Sequence, residues 1–236
     1  MNILRRAACE IVRREGWLSQ TPTAFQRAVL ERCRLEEFKV GTTIYSTGDK
    51  PRGMFGIIAG RLGVSVARGE QGHYTAHFAG PGSWFGEVST FTRQPQRVGL
   101  TAIRDSELLH LPLQAIDEIV EQEPAAWRFF GLLTIDHLGL AMAGFDDLMI
   151  RDHHRRFVAV LLRLGNCRVA GSRDGQPTEI DISHEDLAHM ANVARTTAGA
   201  VLRELEADGY IALSYRRIKI LAPDALRGKL RDQVHA

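Results

Sequence analysis

The sequence predicts an α+β chain: an N-terminal β-roll of the jelly-roll kind, one long helix, and a C-terminal helix-turn-helix followed by a two-stranded wing. Three observations carry this. From Phe38 to about Pro112 apolar residues recur with a period near two and glycines interrupt them. After Pro112 the period lengthens to that of helices. In ISHEDLAHMANVARTTAGAVLRELEADGYIALSYRRIKIL two short helical patterns meet at a turn and give way to strands. Residues 1–122 are assigned to N-terminal helices and the roll, 123–150 to the long helix, and 151–236 to the helix-turn-helix domain.

Composition bounds the possibilities. A chain of 236 residues, 44% of them apolar, can bury a core and fits one large or two modest domains. Residues 1–150 carry 16 basic and 17 acidic side chains and residues 151–236 carry 14 and 11, so the basic excess lies at the C-terminal end, a mild bias toward a polyanionic partner. Cys9, Cys33 and Cys167 are odd in number, far apart and form no CxxC, which excludes a readable disulfide framework or zinc or iron–sulfur site and agrees with a reducing compartment. The opening MNILRRAACEIVRREG interleaves Arg5, Arg6, Arg13 and Arg14 with Glu10 and Glu15, leaving no apolar stretch for a signal peptide or a membrane span. A soluble cytoplasmic protein is expected.

In the roll, runs rich in Ile, Val, Tyr and Phe are broken at Gly48-Asp49, Gly60, Gly69 and Pro81-Gly82, the pattern of short strands joined by tight turns. No long helical pattern intervenes, which excludes a parallel α/β sheet. The stretch WFGEVSTFTRQPQR sets Arg97 ten residues after Glu87, across a polar turn. Gly86, Glu87 and Arg97 therefore form either a structural ion pair or a small anion-binding pocket. His73 and His77 lie two pleats apart and lack the HxH-plus-Glu pattern of cupin metal sites, so they read as surface histidines, as do His153 and His154.

Pro124 suits the first turn of the long helix. Beyond it Trp127, Gly131, Thr134, Leu138, Ala141, Phe145 and Leu148 recur at alternating steps of four and three, a heptad seam. Phe129, Phe130, Leu132, Leu133 and Leu140 supply a second apolar face toward the roll. Two such faces on one helix predict a homodimer, one face packing at home and the other on a twin. The helix is expected to stop near Ile150. Asp152 then caps the next helix, HHRRFVAVLLRLGN, which buries Phe157, Val158, Leu161, Leu162 and Leu164 and ends at Gly165-Asn166. Arg151–Asp152 reads as a hinge.

Ser183, with Asp186 three residues on, opens the first short helix of the C-terminal unit, and Ser183 is also a candidate DNA contact. Asn192 suits a left-handed turn, and Arg195 to Ala207 form the second helix, burying Ala198, Val201, Leu202 and Leu205 before Asp208-Gly209 ends it. The outward positions are Arg195, Thr196, Thr197, Gly199, Ala200 and Arg203, where a recognition helix meets the major groove. Arg216, Arg217 and Lys219 give the wing a basic tip suited to phosphates.

The order GTTIYSTGD, MFGIIAGRLGVSV, PGSWFGE, then Arg97, resembles the cyclic-nucleotide-binding domain of the catabolite activator and fumarate–nitrate regulator (CRP/FNR) family. The resemblance continues through the long helix and the helix-turn-helix in the same order. It implies that Gly86 and Glu87 face the ribose of a cyclic nucleotide, cyclic AMP or cyclic GMP, and that Arg97 faces its phosphate. A helix start and a guanidinium together favour an anion. Two departures stand against this. Val98 replaces the small or hydroxyl residue that usually follows the Arg, and Ala141 and Met142 occupy the places of the Thr-Ser pair that meets the base. In the recognition helix Arg195 and Thr197 match the family pattern, while Thr196 replaces its acid and Ala200 its second Arg.

The resemblance implies a homodimeric, sequence-specific transcription regulator that binds an inverted-repeat operator in double-stranded DNA and works with RNA polymerase, with no membrane association. An effector-independent DNA binder with a decayed pocket is the alternative. A cupin-like enzyme is a remote one, because no nucleophile–base pair or convergent metal set is legible. A haem sensor stays open, since any His or Met can ligate iron.

Overall fold

The computed structural model describes residues 10–68, 72–168 and 178–231. Arg5, Arg6, Cys9, Gly69 and the His73 side chain lie outside the described residues. The chain forms two compact units, Met1–Leu138 and Gly139–Ala236, so the division falls within the long helix and not at the Arg151–Asp152 step.

The first unit opens in a helix, α1, whose described residues are 10–14, followed by a 3₁₀ turn at Trp17–Gln20 and α2 at Thr23–Arg32. Eight strands follow: β1 (Arg34–Phe38), β2 (Thr43–Tyr45), β3 (Gly53–Ala59), β4 (Leu62–Arg68), β5 (Gly72–Ala79), β6 (Trp84–Phe85), β7 (Gly99–Ala102) and β8 (Ser106–Pro112), with α3 (Glu87–Thr92) between β6 and β7. They make two antiparallel four-stranded sheets, ordered β1-β8-β3-β6 and β2-β7-β4-β5, the roll that the alternating pattern predicts. β3 departs from simple alternation because both of its faces are covered. Phe55 and Ile57 point into the roll with Tyr45, Leu62, Phe85, Leu100 and Leu108. Met54 and Ile58 point the other way, into a second core formed with Trp17, Phe25, Trp84, Leu109, Leu111 and Phe130. Gly56 lies on this strand because a Cβ there would stand 2.4 Å from the Trp84 ring.

α4 (Leu113–Gln122) leads to the long helix α5 (Ala126–Met149). Ala126, Phe130 and Leu133 are buried in the second core of the roll unit, and the indole N–H of Trp17 donates to the Phe129 carbonyl. Leu132 and Leu140, expected on the buried face, are exposed instead. Leu132 lies off the Phe130–Leu133 line, whereas Leu140 lies on it, seven residues past Leu133, but belongs to the second unit and not to the roll unit. No described helix is long and apolar enough to cross a membrane.

The second unit contains α6 (His153–Leu164), β9 (Thr178–Asp181), α7 (His184–Met190), α8 (Arg195–Ala207), β10 (Ile211–Ser214), β11 (Arg217–Ile220) and α9 (Pro223–Arg231). The Asp152 carboxylate accepts from the Arg155 N–H at 2.7 Å, the cap expected for α6. β10, β11 and β9 pair in that order into a small antiparallel sheet. Near the end of α5, Asp147 is buried, with its two oxygens taken by Arg163 (2.7 Å) and Arg168 (3.2 Å). Arg156 donates to the carbonyls of Ile150, Ala191 and Asn192, joining the end of α5 to the turn between α7 and α8.

Candidate functional site

Two sites are built on this frame, one in each unit. In the roll, Gly86 turns the chain from β6 into α3 at φ 102°, and a Cβ there would stand 2.5 Å from the Gly53 carbonyl oxygen. Gly86→Ala should therefore cost about 1 to 3 kcal/mol in backbone strain alone. A chemical-denaturation midpoint equal to that of the unmodified protein would contradict this account of the turn.

Glu87, the first residue of α3, is 3% exposed. Its Oε1 is held at 2.8 Å by His137 Nδ1, and the His137 ring stacks on Phe85 with centroids 5.0 Å apart. This corrects the ion pair considered from sequence, since the partner of Glu87 is His137 and not Arg97. A pairing between residues fifty positions apart left no signal in the sequence. Arg97 is exposed between α3 and β7, with no side-chain hydrogen bond or ion pair among the described residues. Val98 packs against the interior of the roll, apolar as its side chain requires. Tyr45 is buried, and its hydroxyl has no hydrogen-bond partner among the described residues. Burial, with a smaller contribution from the Glu87 charge, holds that hydroxyl well above the ordinary phenol range, so it stays protonated. Among the described residues no group of three or more His, Cys, Asp or Glu is placed to hold a metal.

Ala141 and Met142 belong to the second unit and are exposed. Both sit on an exposed stripe of α5 that also carries Trp127, Thr134, Leu138, Phe145 and Leu148, the predicted seam; Gly131 is half-buried. Ile135 and Met149, which the strict heptad omits, are exposed large apolar residues on the same helix. At 100° per residue they fall beside Leu138 and Phe145 and widen the stripe.

The second site is the helix-turn-helix. The Ser183 hydroxyl accepts from the Asp186 N–H at 3.0 Å and donates to the Asp186 carboxylate at 2.6 Å. Ser183 is therefore a capping residue, its hydroxyl engaged with the first turn of α7. Asn192 takes the left-handed turn at φ 50°. α8 buries Ala198, Val201, Leu202 and Leu205, and presents Arg195, Thr196, Ala200 and Arg203 to solvent, with Thr197 and Gly199 half-buried. Ala194 precedes it without a side-chain cap. In the wing, β11 buries Ile218 and Ile220 and exposes Arg217 and Lys219. Arg217 faces Glu179 of β9 at 3.7 Å. His154, expected at the surface, is half-buried and lies 3.2 Å from Glu204 of α8. The buried His110, bonded to Glu36 at 2.7 Å, was not singled out by sequence.

The family model described as a cyclic nucleotide-binding domain matches residues 35–123, and that described as a Crp-like helix-turn-helix domain matches residues 155–228. A CRP-like cAMP-activated global transcriptional regulator of Mycobacterium tuberculosis is 20% identical over 224 residues, spanning 94% of this chain and 99% of that protein. A global nitrogen regulator of Synechococcus elongatus is 26% identical over 198 residues, spanning 82% and 88%. The solved structure of a CRP/FNR-family transcriptional regulator from Thermus thermophilus superposes with a TM-score of 0.64 at 24% identity, covering 84% of this chain and 98% of that one. Both domain models fall in the same order on the regions where the structure places the roll and the reading helices, and the relatives align over most of their own length. The chain belongs to the CRP/FNR family of transcription regulators.

Proposed function

We propose that the protein acts as a homodimer that binds an inverted-repeat operator in double-stranded DNA, each subunit laying α8 in a major groove, and so regulates transcription by RNA polymerase in the cytoplasm. The observation that carries this reading is the division of α8 into a buried face, Ala198, Val201, Leu202 and Leu205, and an outward face bearing Arg195, Thr196, Ala200 and Arg203. Thr197 and Gly199 border that face, and Arg217 and Lys219 of the wing are placed for phosphates. Selection of bound sequences from random DNA tests it: an inverted repeat with half-sites about 34 to 36 Å apart supports the reading, and no enriched repeat refutes it.

The roll is the sensor in this reading, with Arg97 the anion-binding group and Gly86 and Glu87 beside it. Its effector is cyclic AMP or cyclic GMP, bound weakly. Val98 offers no donor to the phosphate, Ala141 and Met142 offer none to the base, and His137 occupies one oxygen of Glu87. Each absent hydrogen bond to a charged group removes about 1.5 to 3 kcal/mol. By calorimetry Val98→Ser should tighten cyclic AMP binding and Arg97→Ala should abolish it. Submicromolar affinity in the unmodified protein would contradict this. The Glu87–His137 pair also favours a second reading, in which the roll is satisfied internally and the protein binds DNA without an effector. A melting temperature unmoved by saturating cyclic nucleotide, together with undiminished operator binding in its absence, would select that reading.

A further inference from the structure

We propose that the wing is a second DNA-reading element, in which Arg216 enters the minor groove beside the half-site and the Tyr215 ring packs on the sugars of its wall. The inference rests on the reading of α8 as the major-groove helix.

The wing tip is held at both ends. β10 and β11 are joined by two residues, Tyr215 and Arg216. The Arg216 carbonyl accepts from the Ile182 N–H at 3.1 Å, and Ile182 directly precedes the Ser183 cap of α7. On the other side of the turn, two residues before Tyr215, the Glu206 carboxylate of α8 accepts from the Leu213 N–H of β10 at 2.8 Å. Side chains on such a tip keep a fixed position relative to the reading helix, and docking them on DNA orders no loose loop.

Both tip side chains are exposed. Tyr215 is 90% exposed. The Arg216 side chain is exposed and has no hydrogen bond or ion pair among the described residues, whereas Arg217 beside it faces Glu179. Arg216 also holds φ 56°, a left-handed turn position where Gly or Asn is the usual occupant. The turn thus carries a strained arginine, aimed outward, next to an aromatic ring.

The outward face of α8 is poor in base-reading groups. Thr196, Gly199 and Ala200 leave Arg195 and Arg203 as its long donors. A guanidinium in the minor groove reads something different from the major-groove code, because narrow A·T-rich grooves concentrate negative potential and attract it. Tyr215 suits the groove wall, with an apolar ring for the deoxyribose and a hydroxyl for the neighbouring phosphate. A wing that met phosphates alone would be indifferent to sequence. A wing inserted in the groove makes the protein prefer A·T-rich flanks outside the half-sites.

The test uses the full-length protein and the selected operator, flanked on both sides by either A·T-rich or G·C-rich DNA, with affinity measured by fluorescence anisotropy. The unmodified protein should bind the A·T-flanked operator about tenfold more tightly. Arg216→Gly suits the left-handed turn and keeps the fold, which circular dichroism would verify; it should abolish the difference between flanks. Tyr215→Ala should weaken binding severalfold without changing the salt slope, since it removes no charge. Equal affinity for the two flanks overturns the proposal, as does a preference that survives Arg216→Gly. A uniform loss in Arg216→Gly, with a salt slope lower by about one, places Arg216 on a phosphate and overturns it too. Failure of the unmodified protein to bind any operator is a separate result, which would sink the reading of α8 itself.

Discussion

Leu138→Glu and Phe145→Asp should each convert the protein to a monomer. The two side chains are 61% and 59% exposed in the single chain, on a stripe of α5 that runs from Trp127 to Met149. Burying a large apolar side chain contributes about 1.5 to 3 kcal/mol, and a twofold interface buries each position twice. Removing one position therefore costs the dimer about 3 to 6 kcal/mol, or roughly two to four decades in dissociation constant, before the penalty of a carboxylate trapped in an apolar seam is added. The folded subunit loses no buried contact, so its circular dichroism should be unchanged. Sedimentation velocity separates the outcomes. A monomeric profile for the unmodified protein, or an undisturbed dimer in both variants, would rule out this seam.

Arg195→Ala should relax one position of the operator while leaving the rest of the recognised sequence intact. Arg195 opens α8 on its exposed side, and its guanidinium can bond both O6 and N7 of a guanine. Such a pair supplies about 1 to 3 kcal/mol of discrimination, about 5- to 150-fold in relative affinity. Lys219→Ala gives the contrasting pattern, weakening all sequences alike and lowering the salt slope by about one unit. Thr196 and Ala200 cannot supply the acid and second Arg common in the family, so a selected operator should differ from the family's common half-site. Recovery of that half-site, or a uniform loss in Arg195→Ala, would count against these roles.

The reading head was the most legible part of the chain. Its second helix lies at Arg195–Ala207 and buries Ala198, Val201, Leu202 and Leu205, as the three- and four-residue spacing requires. The Asp152 cap and the left-handed Asn192 were equally local, since each is decided by one side chain and its near neighbours. What sequence could not supply were pairings that only the fold creates. Glu87 meets His137 across fifty positions, and Asp147 is buried with Arg163 and Arg168 closed on its two oxygens. The long helix shows the same limit in another form. Its apolar residues outnumber what one face can hold, so Phe130 and Leu133 are buried while Leu132 is not.

All three tryptophans, Trp17, Trp84 and Trp127, lie in the first unit, gathered in one aromatic cluster with Phe25, Phe91, Phe129 and Phe130. The protein therefore carries a built-in optical label on its roll unit and none on its helix-turn-helix unit. Indole emission follows melting of the roll and is blind to the helix-turn-helix, whose loss must be watched through the amide bands. Trp17 and Trp84 are buried and emit from an apolar surrounding, whereas Trp127 is 43% exposed on the α5 stripe, against Phe91 of α3. The red edge of the spectrum thus belongs to the one indole that pairing of two subunits would dehydrate, so dilution through the dimer's dissociation range can be followed as a change in colour without any dye.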